Sequence, residues 1–188
     1  SIDRTIGGFP SGPPLVVEAD DARTPLALEL AHHALARGEA VRFLTPETAP
    51  ALLHKADSLG FALGSAFDAG RLEILELRGD APRLLREHGP GPLTDALCAG
   101  LDDRALILVD PFSALVAELS DASQLREITR AFARALDGHD VVLTIASDHP
   151  LALCGGILTV ISGAWFQADA EPGRAKILVV EDDRLQRE

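Results

Sequence analysis

Short apolar runs alternate with helix-length amphipathic segments along most of this chain, and that alternation restricts the fold more than any other feature. Leu15-Val16-Val17, Val41-Arg42-Phe43-Leu44, residues 72–77, 105–109 and 141–145 read as strands. They are short, rich in Val, Ile and Leu, and bounded by Gly, Pro or acidic residues. Between them, the spacing of Leu26, Leu30, Ala31, Ala34 and Leu35 predicts a helix over 24–37, with Thr24 as N-cap, Pro25 in the first turn and Gly38 as the stop. Further helices are expected over 49–59 (closed by Gly60), 82–88, 93–101 and 123–136, the last with Leu125, Ile128, Phe132 and Leu136 on one face. Gly89-Pro90-Gly91-Pro92 reads as a hinge or loop. Strand–helix–strand units of this kind build a mostly parallel sheet with helices on both faces. At the end of the chain, residues 157–168 and 174–181 read as two strands joined at Glu171-Pro172-Gly173, an edge β-hairpin closing the α/β sheet.

With 188 residues the chain is expected to form a single domain, and no internal repeat or low-complexity segment interrupts it. It has no Met and begins at Ser1, so it is expected to be a fragment of a longer protein. Aromatic residues are scarce, which leaves Leu, Val, Ile and Ala to build the core.

The net charge of −12 argues against nucleic acid and anionic lipid as partners, because both require a basic face. No apolar run approaches the roughly 18 residues of a membrane span. Cys98 and Cys154 form no metal-binding motif and read as buried thiols in a reducing compartment. A cytoplasmic location follows as the expectation.

Five stretches share an order with a known family. They are Gly7-Gly8-Phe9-Pro10-Ser11-Gly12 before the first strand, Ala22-Arg23-Thr24-Pro25-Leu26-Ala27 after it, Thr45-Pro46-Glu47-Thr48, Gly70-Arg71-Leu72-Glu73-Ile74-Leu75, and Leu106-Ile107-Leu108-Val109-Asp110. In this order and spacing they resemble the KaiC-like branch of the RecA ATPases. The resemblance implies a RecA-like fold. It places Arg23 and Thr24 where that family binds ATP, Glu47 where it carries a general base, and Asp110 on the strand that holds Mg²⁺.

The departures from the family pattern are chemical. A phosphate loop uses glycines to curl backbone N–H groups around phosphate oxygens and a Lys to meet their charge. The corresponding Glu18-Ala19-Asp20-Asp21-Ala22 has no glycine and three carboxylates. One such charge about 4 Å from a phosphate costs on the order of 4 kcal/mol at an effective dielectric near 20, roughly three decades in affinity. Pro25 removes an N–H from the helix start. Arg23 supplies a charge with a different shape from Lys, and Pro46 replaces one of the family's two adjacent glutamates. No ATP hydrolysis and no cofactor are therefore expected. The alternative is an active ATPase using ATP and Mg²⁺, with Arg23 in place of the lysine.

The chain also resembles the degenerate N-terminal NTPase domain of bacterial cellulose-synthesis regulators of the BcsE type. The shared features are the Asp-rich loop, a similarly placed helix and a late strand with Trp165 and Phe166. This likeness implies dimerisation and docking onto secretion-system subunits at the cytoplasmic face of the inner membrane. The leading expectation is thus an interaction and assembly module that forms homo-oligomers.

Other candidates have plainer readings. Asp110 either holds Mg²⁺ through water or caps a loop, and Thr24 either ligates that ion or caps its helix. Glu18, Asp20 and Asp21 form a cation site or a solvated turn. His32 and His33 are adjacent on a helix and diverge, so they cannot chelate together. His139 and His149 read as loop residues, and Ser113 lacks the context of a nucleophile. The acidic pair Asp182-Asp183 after residues 176–181 resembles the start of a receiver domain, but only five residues follow.

Overall fold

The computed structural model describes residues 15–19, 23–77, 79–101, 105–119, 127–128, 131–132, 134–136, 139–145 and 157–160. Six strands, β1 (Leu15–Ala19), β2 (Val41–Thr45), β3 (Leu72–Glu76), β4 (Leu106–Val109), β5 (Asp140–Ile145) and β6 (Ile157–Val160), form one sheet in the order β3-β2-β4-β5-β1-β6. Every ladder between them is parallel. Among the described residues the helices are α1 (Arg23–Ala36), α2 (Ala49–Ser58), α3 (Gly64–Asp68), α4 (Ala81–His88), α5 (Gly91–Cys98) and α6 (Phe112–Leu115), and residues 127–128, 131–132 and 134–135, within the expected 123–136 helix, are helical as well.

Strand order decides which face each helix covers. The chain steps one way along the sheet from β1 through β2 to β3, then back to β4 and β5. Right-handed crossovers made in opposite directions place their helices on opposite faces. Accordingly α1, α2 and α3 pack on one face, where Leu28, Ala31, Leu52 and Ala66 join Val41, Phe43, Leu106, Leu108 and Val142. On the other face Leu85 of α4, Leu97 of α5 and Phe112 of α6 join Leu44, Ile107, Val109, Leu143 and Ile145, with Ile128, Phe132 and Leu136 beside them. Successive strand residues alternate between the two clusters because side chains alternate across a strand.

Burial explains the look of each strand. All four residues of the central β4 are buried, hence its unbroken Leu-Ile-Leu-Val. On the outer strand β3, Leu72 is buried while Glu73 and Glu76 are exposed, and charge at a sheet edge discourages further pairing. Glu76 also binds the start of a helix, its carboxylate accepting the Ala49 N–H at 3.0 Å. It thereby caps α2, whose N-cap Thr48 makes no side-chain bond of its own.

Several expectations need correction. Gly91 and Pro92 lie in the first turn of α5, not in a loop, because Pro is tolerated where an N–H has no helical partner. Thr24 does not cap α1. The helix begins at Arg23, so Thr24 is within its first turn. The short helices α3 and α6 were not foreseen. Of the expected C-terminal hairpin, residues 157–160 form β6, parallel to β1; its second strand, Trp165, Phe166, Cys154 and His149 lie outside the described residues. Cys98 is half-buried against the second core cluster, and burial pushes its thiol up. His139 lies in the bend just before β5, as expected, but is half-buried, and its Nδ1 is enclosed without a hydrogen-bond partner. Among the described residues no helix is long and apolar enough to cross a membrane.

Candidate functional site

In an open parallel sheet, the crevice lies at the carboxyl ends of strands whose connections leave toward opposite faces. Here β2 leads to α2 on one face and β4 to α6 on the other. The main chain closes the gap between their ends, the Asp110 N–H donating to the Leu44 carbonyl at 2.9 Å.

Asp110 is the first residue past β4 and is only 2 % exposed. A carboxyl in that position needs partners. The Thr144 hydroxyl, from the neighbouring strand β5, donates to Asp110 Oδ1 and lies 3.5 Å from the Val109 carbonyl. From α1, Thr24 supplies a further hydroxyl and Arg23 a positive charge. Burial pushes the Asp110 carboxyl up from its ordinary value. The Thr144 and Thr24 hydrogen bonds and the Arg23 guanidinium pull it back in part, and the Glu47 charge pushes it up further.

Glu47 sits two residues past β2 and is half-buried, its carboxylate 2.5 Å from Lys55 Nζ two turns along α2. Its backbone N–H donates to Thr45 Oγ1 at 3.2 Å. Arg23 Nε is enclosed and makes no hydrogen bond.

The four residues singled out from sequence, Arg23, Thr24, Glu47 and Asp110, therefore meet at one end of the sheet although they come from three separate segments. Two members of the site were missed. Thr144 carried a readable signal, a hydroxyl inside the otherwise apolar run Val141-Val142-Leu143-Thr144-Ile145; a polar side chain in a fully covered strand must bond to something. Lys55 carried no signal beyond helical spacing. Glu18, Asp20 and Asp21 have no side chains among the described residues. Elsewhere, the His32 ring lies 5.5 Å from that of Phe61, tilted by 37°, and edge-on to His33 at 5.7 Å, while His33 Nε2 is 3.6 Å from Glu29 Oε1. Ser113 is half-buried within α6. No group of three or more His, Cys, Asp or Glu residues suited to a metal ion occurs among the described residues.

No protein-family model matches this chain, and no curated protein sequence matches it significantly. Solved structures do match. One is the flagellar accessory protein FlaH from Methanocaldococcus jannaschii, with a TM-score of 0.53 and 18% identity, covering 77% of this chain and 66% of that one. The chain thus spans just under two thirds of that relative's length. At this identity the likeness speaks for architecture alone. Strand order and structural likeness together show an α/β domain of RecA-like fold.

Proposed function

We propose that this RecA-like domain does not turn over nucleotide and serves as a regulatory protein-interaction module that assembles with copies of itself. The observation that carries the reading is the internal engagement of the site. Asp110 is buried with Thr144 and Thr24 as its hydrogen-bonding partners and Arg23 as its nearby cation, while Glu47 is paired with Lys55. The acids that would serve Mg²⁺ and an attacking water are thus bonded within the fold, while Arg23 acts on Asp110 by charge with its Nε unbonded. ATP with Mg²⁺ fits this donor set poorly. Pro25, the third residue of α1, withholds one of the N–H groups that a helix start offers an anion, and Glu18, Asp20 and Asp21 oppose it by charge.

The resemblance to the cellulose-synthesis regulators supplies the setting: a cytoplasmic domain whose partners are proteins of a cellulose synthesis and secretion system. Nucleic acid is not among the partners on this reading, given the net charge of −12.

A second reading, an active ATPase, draws on the meeting of Arg23, Thr24, Glu47 and Asp110 in space. One experiment separates the two. A ligand at 100 times its dissociation constant stabilises a protein by about 2.7 kcal/mol, so ATP with Mg²⁺ should shift the melting temperature by several degrees if it binds. No shift is expected. A shift that disappears in Arg23→Ala would show that nucleotide binds at this site, and Arg23-dependent release of phosphate from ATP would then establish the second reading. For the interaction role, light scattering after size exclusion should show a dimer or larger species, and a strict monomer would contradict the assembly claim.

A further inference from the structure

At one side of the sheet stands β3, which among the described residues pairs with β2 alone. Two bonds fix the direction of its main-chain groups. The Arg71 carbonyl accepts the Val41 N–H at 2.8 Å, and the Leu77 N–H donates to the Thr45 carbonyl at 2.6 Å. Odd-numbered residues from 71 to 77 therefore turn their polar groups toward β2, while Leu72, Ile74 and Glu76 turn theirs away from the sheet. An edge of this kind is a template for a further strand.

Two acids guard the edge by charge, and both are held from within. Glu73 accepts from Nε and Nη2 of Arg42 on β2. Arg42 is fixed in turn by the carbonyls of Ala96, Leu97 and Ala99 at the carboxyl end of α5. Glu76 accepts the Ala49 N–H. What these acids still exclude is a register that sets like charges opposite each other. Two β3 strands paired parallel and in register would place each glutamate beside its own copy. Paired antiparallel about Ile74, the whole strand is used, with Glu73 opposite Leu75 and Glu76 opposite Leu72. The hydrogen-bonded positions of that pairing are Leu72, Ile74 and Glu76, the residues whose groups point outward.

Apolar side chains flank the same edge. Leu59, Phe67 and Leu84 are large hydrophobic residues left exposed. Leu59 closes α2 and Phe67 lies in α3, both helices packing against β3, and Leu84 lies in α4, which follows β3 on the other face. With a net charge of −12 on each copy, an edge whose acids are already engaged meets less repulsion than the rest of an acidic surface.

We propose that this edge joins the chain to a second copy of itself. The β3 strands pair antiparallel about a two-fold axis at Ile74, and the two six-stranded sheets become one continuous sheet. The inference rests on the assembly part of the proposed function and names its surface.

Two measurements on the intact chain test it. In a Cys98→Ser, Cys154→Ser background, Ile74→Cys should form a disulfide-linked dimer on mild oxidation, because opposed hydrogen-bonded positions lie about 5.5 Å apart between Cα atoms. Asp95→Cys, at an exposed position on α5, should not. Ile74→Pro removes an outward N–H and leaves the ladder to β2 whole, so light scattering should show the mass halved while the far-UV circular dichroism is kept. A parent that is a strict monomer overturns the assembly reading and this inference together. A parent dimer without the Ile74→Cys cross-link, or with a folded Ile74→Pro variant that stays dimeric, refutes the β3 edge alone and leaves the assembly reading standing. Should Ile74→Pro fail to fold, the cross-link decides.

Discussion

The Thr144 hydroxyl donates to the Asp110 carboxylate across the ends of β5 and β4, and this bond is the principal hydrogen-bonding support of a buried acid. Removing the donor while keeping the shape leaves that acid with weaker partners. Thr144→Val should therefore cost about 1–3 kcal/mol at neutral pH. In an Asp110→Asn background the same substitution should cost less, since the charge it supports is gone. Urea unfolding of the four proteins of the cycle measures the difference.

The direction of the pH dependence follows from the raised Asp110 carboxyl. Its ordinary value is 3.8, and burial lifts it in the folded protein. Through the interval between those two values the folded state holds more protons than the unfolded one, so stability falls as pH rises. The Asp110 contribution is fully present below 3.8 and lost above the raised value. Asp110→Asn removes this penalty and should melt at a higher temperature than the parent at pH 7. The gap should narrow toward pH 4. A gap that widens on acidification would show that the Arg23 attraction outweighs burial.

Two glycines should respond oppositely to alanine. Gly60, after α2, has φ +85, and Gly64, at the start of α3, has no such strain; a Cβ at either would meet nothing within 4 Å. Space is therefore not the issue, and backbone preference decides. Gly60→Ala should destabilise by about 1–2 kcal/mol, while Gly64→Ala should stabilise by roughly 0.4–1 kcal/mol through the unfolded chain. Thermal or urea melts of the two variants give both signs.

The aromatic pair of the second core cluster sets a larger scale. Phe112 and Phe132 are fully buried with ring centroids 5.5 Å apart and planes at 53°. Phe132→Ala should cost about 3–5 kcal/mol in urea unfolding. Phe132→Leu should cost clearly less, since it retains most of the buried apolar volume.

What the sequence revealed, and what it hid, has a physical pattern. Strands β2, β4 and β5 and helices α1 and α2 were legible because burial on a sheet or helix face imposes a period on the apolar residues. The helix α3, Gly-Ser-Ala-Phe-Asp, and α6, Phe-Ser-Ala-Leu, are too short to display any period. Thr24 was misread because a threonine ahead of an apolar helix has two possible partners. Local spacing favours a backbone N–H, but the Asp110 carboxyl, 86 residues further along the chain, takes the hydroxyl instead. The partnership of Arg42 with the end of α5 was likewise invisible, since its acceptors are main-chain carbonyls that leave no mark on residue type. Long-range polar contacts decide the site, and periodicity reports only apolar burial.

The proposed loss of nucleotide binding can be tested by attempting to reverse it. Asp20 and Asp21 oppose a polyanion by charge and deny the loop its glycines, and Arg23 replaces a more compact cation. The triple variant Asp20→Gly, Asp21→Gly, Arg23→Lys removes two carboxylates and restores both the flexible backbone and a lysine. Each removed charge is worth up to roughly three decades of affinity before relaxation, so binding of ATP with Mg²⁺ should become measurable by calorimetry in the variant, while the parent should show no heat of binding. Pro25 remains in the triple variant and still withholds its N–H, so binding should strengthen again on Pro25→Thr. If the triple variant binds no better than the parent while remaining folded, the acidic loop is not the barrier. The cause would then lie in the engaged cluster of Asp110, Thr144 and Thr24, and Thr144→Val added to the triple variant is the substitution that should release it.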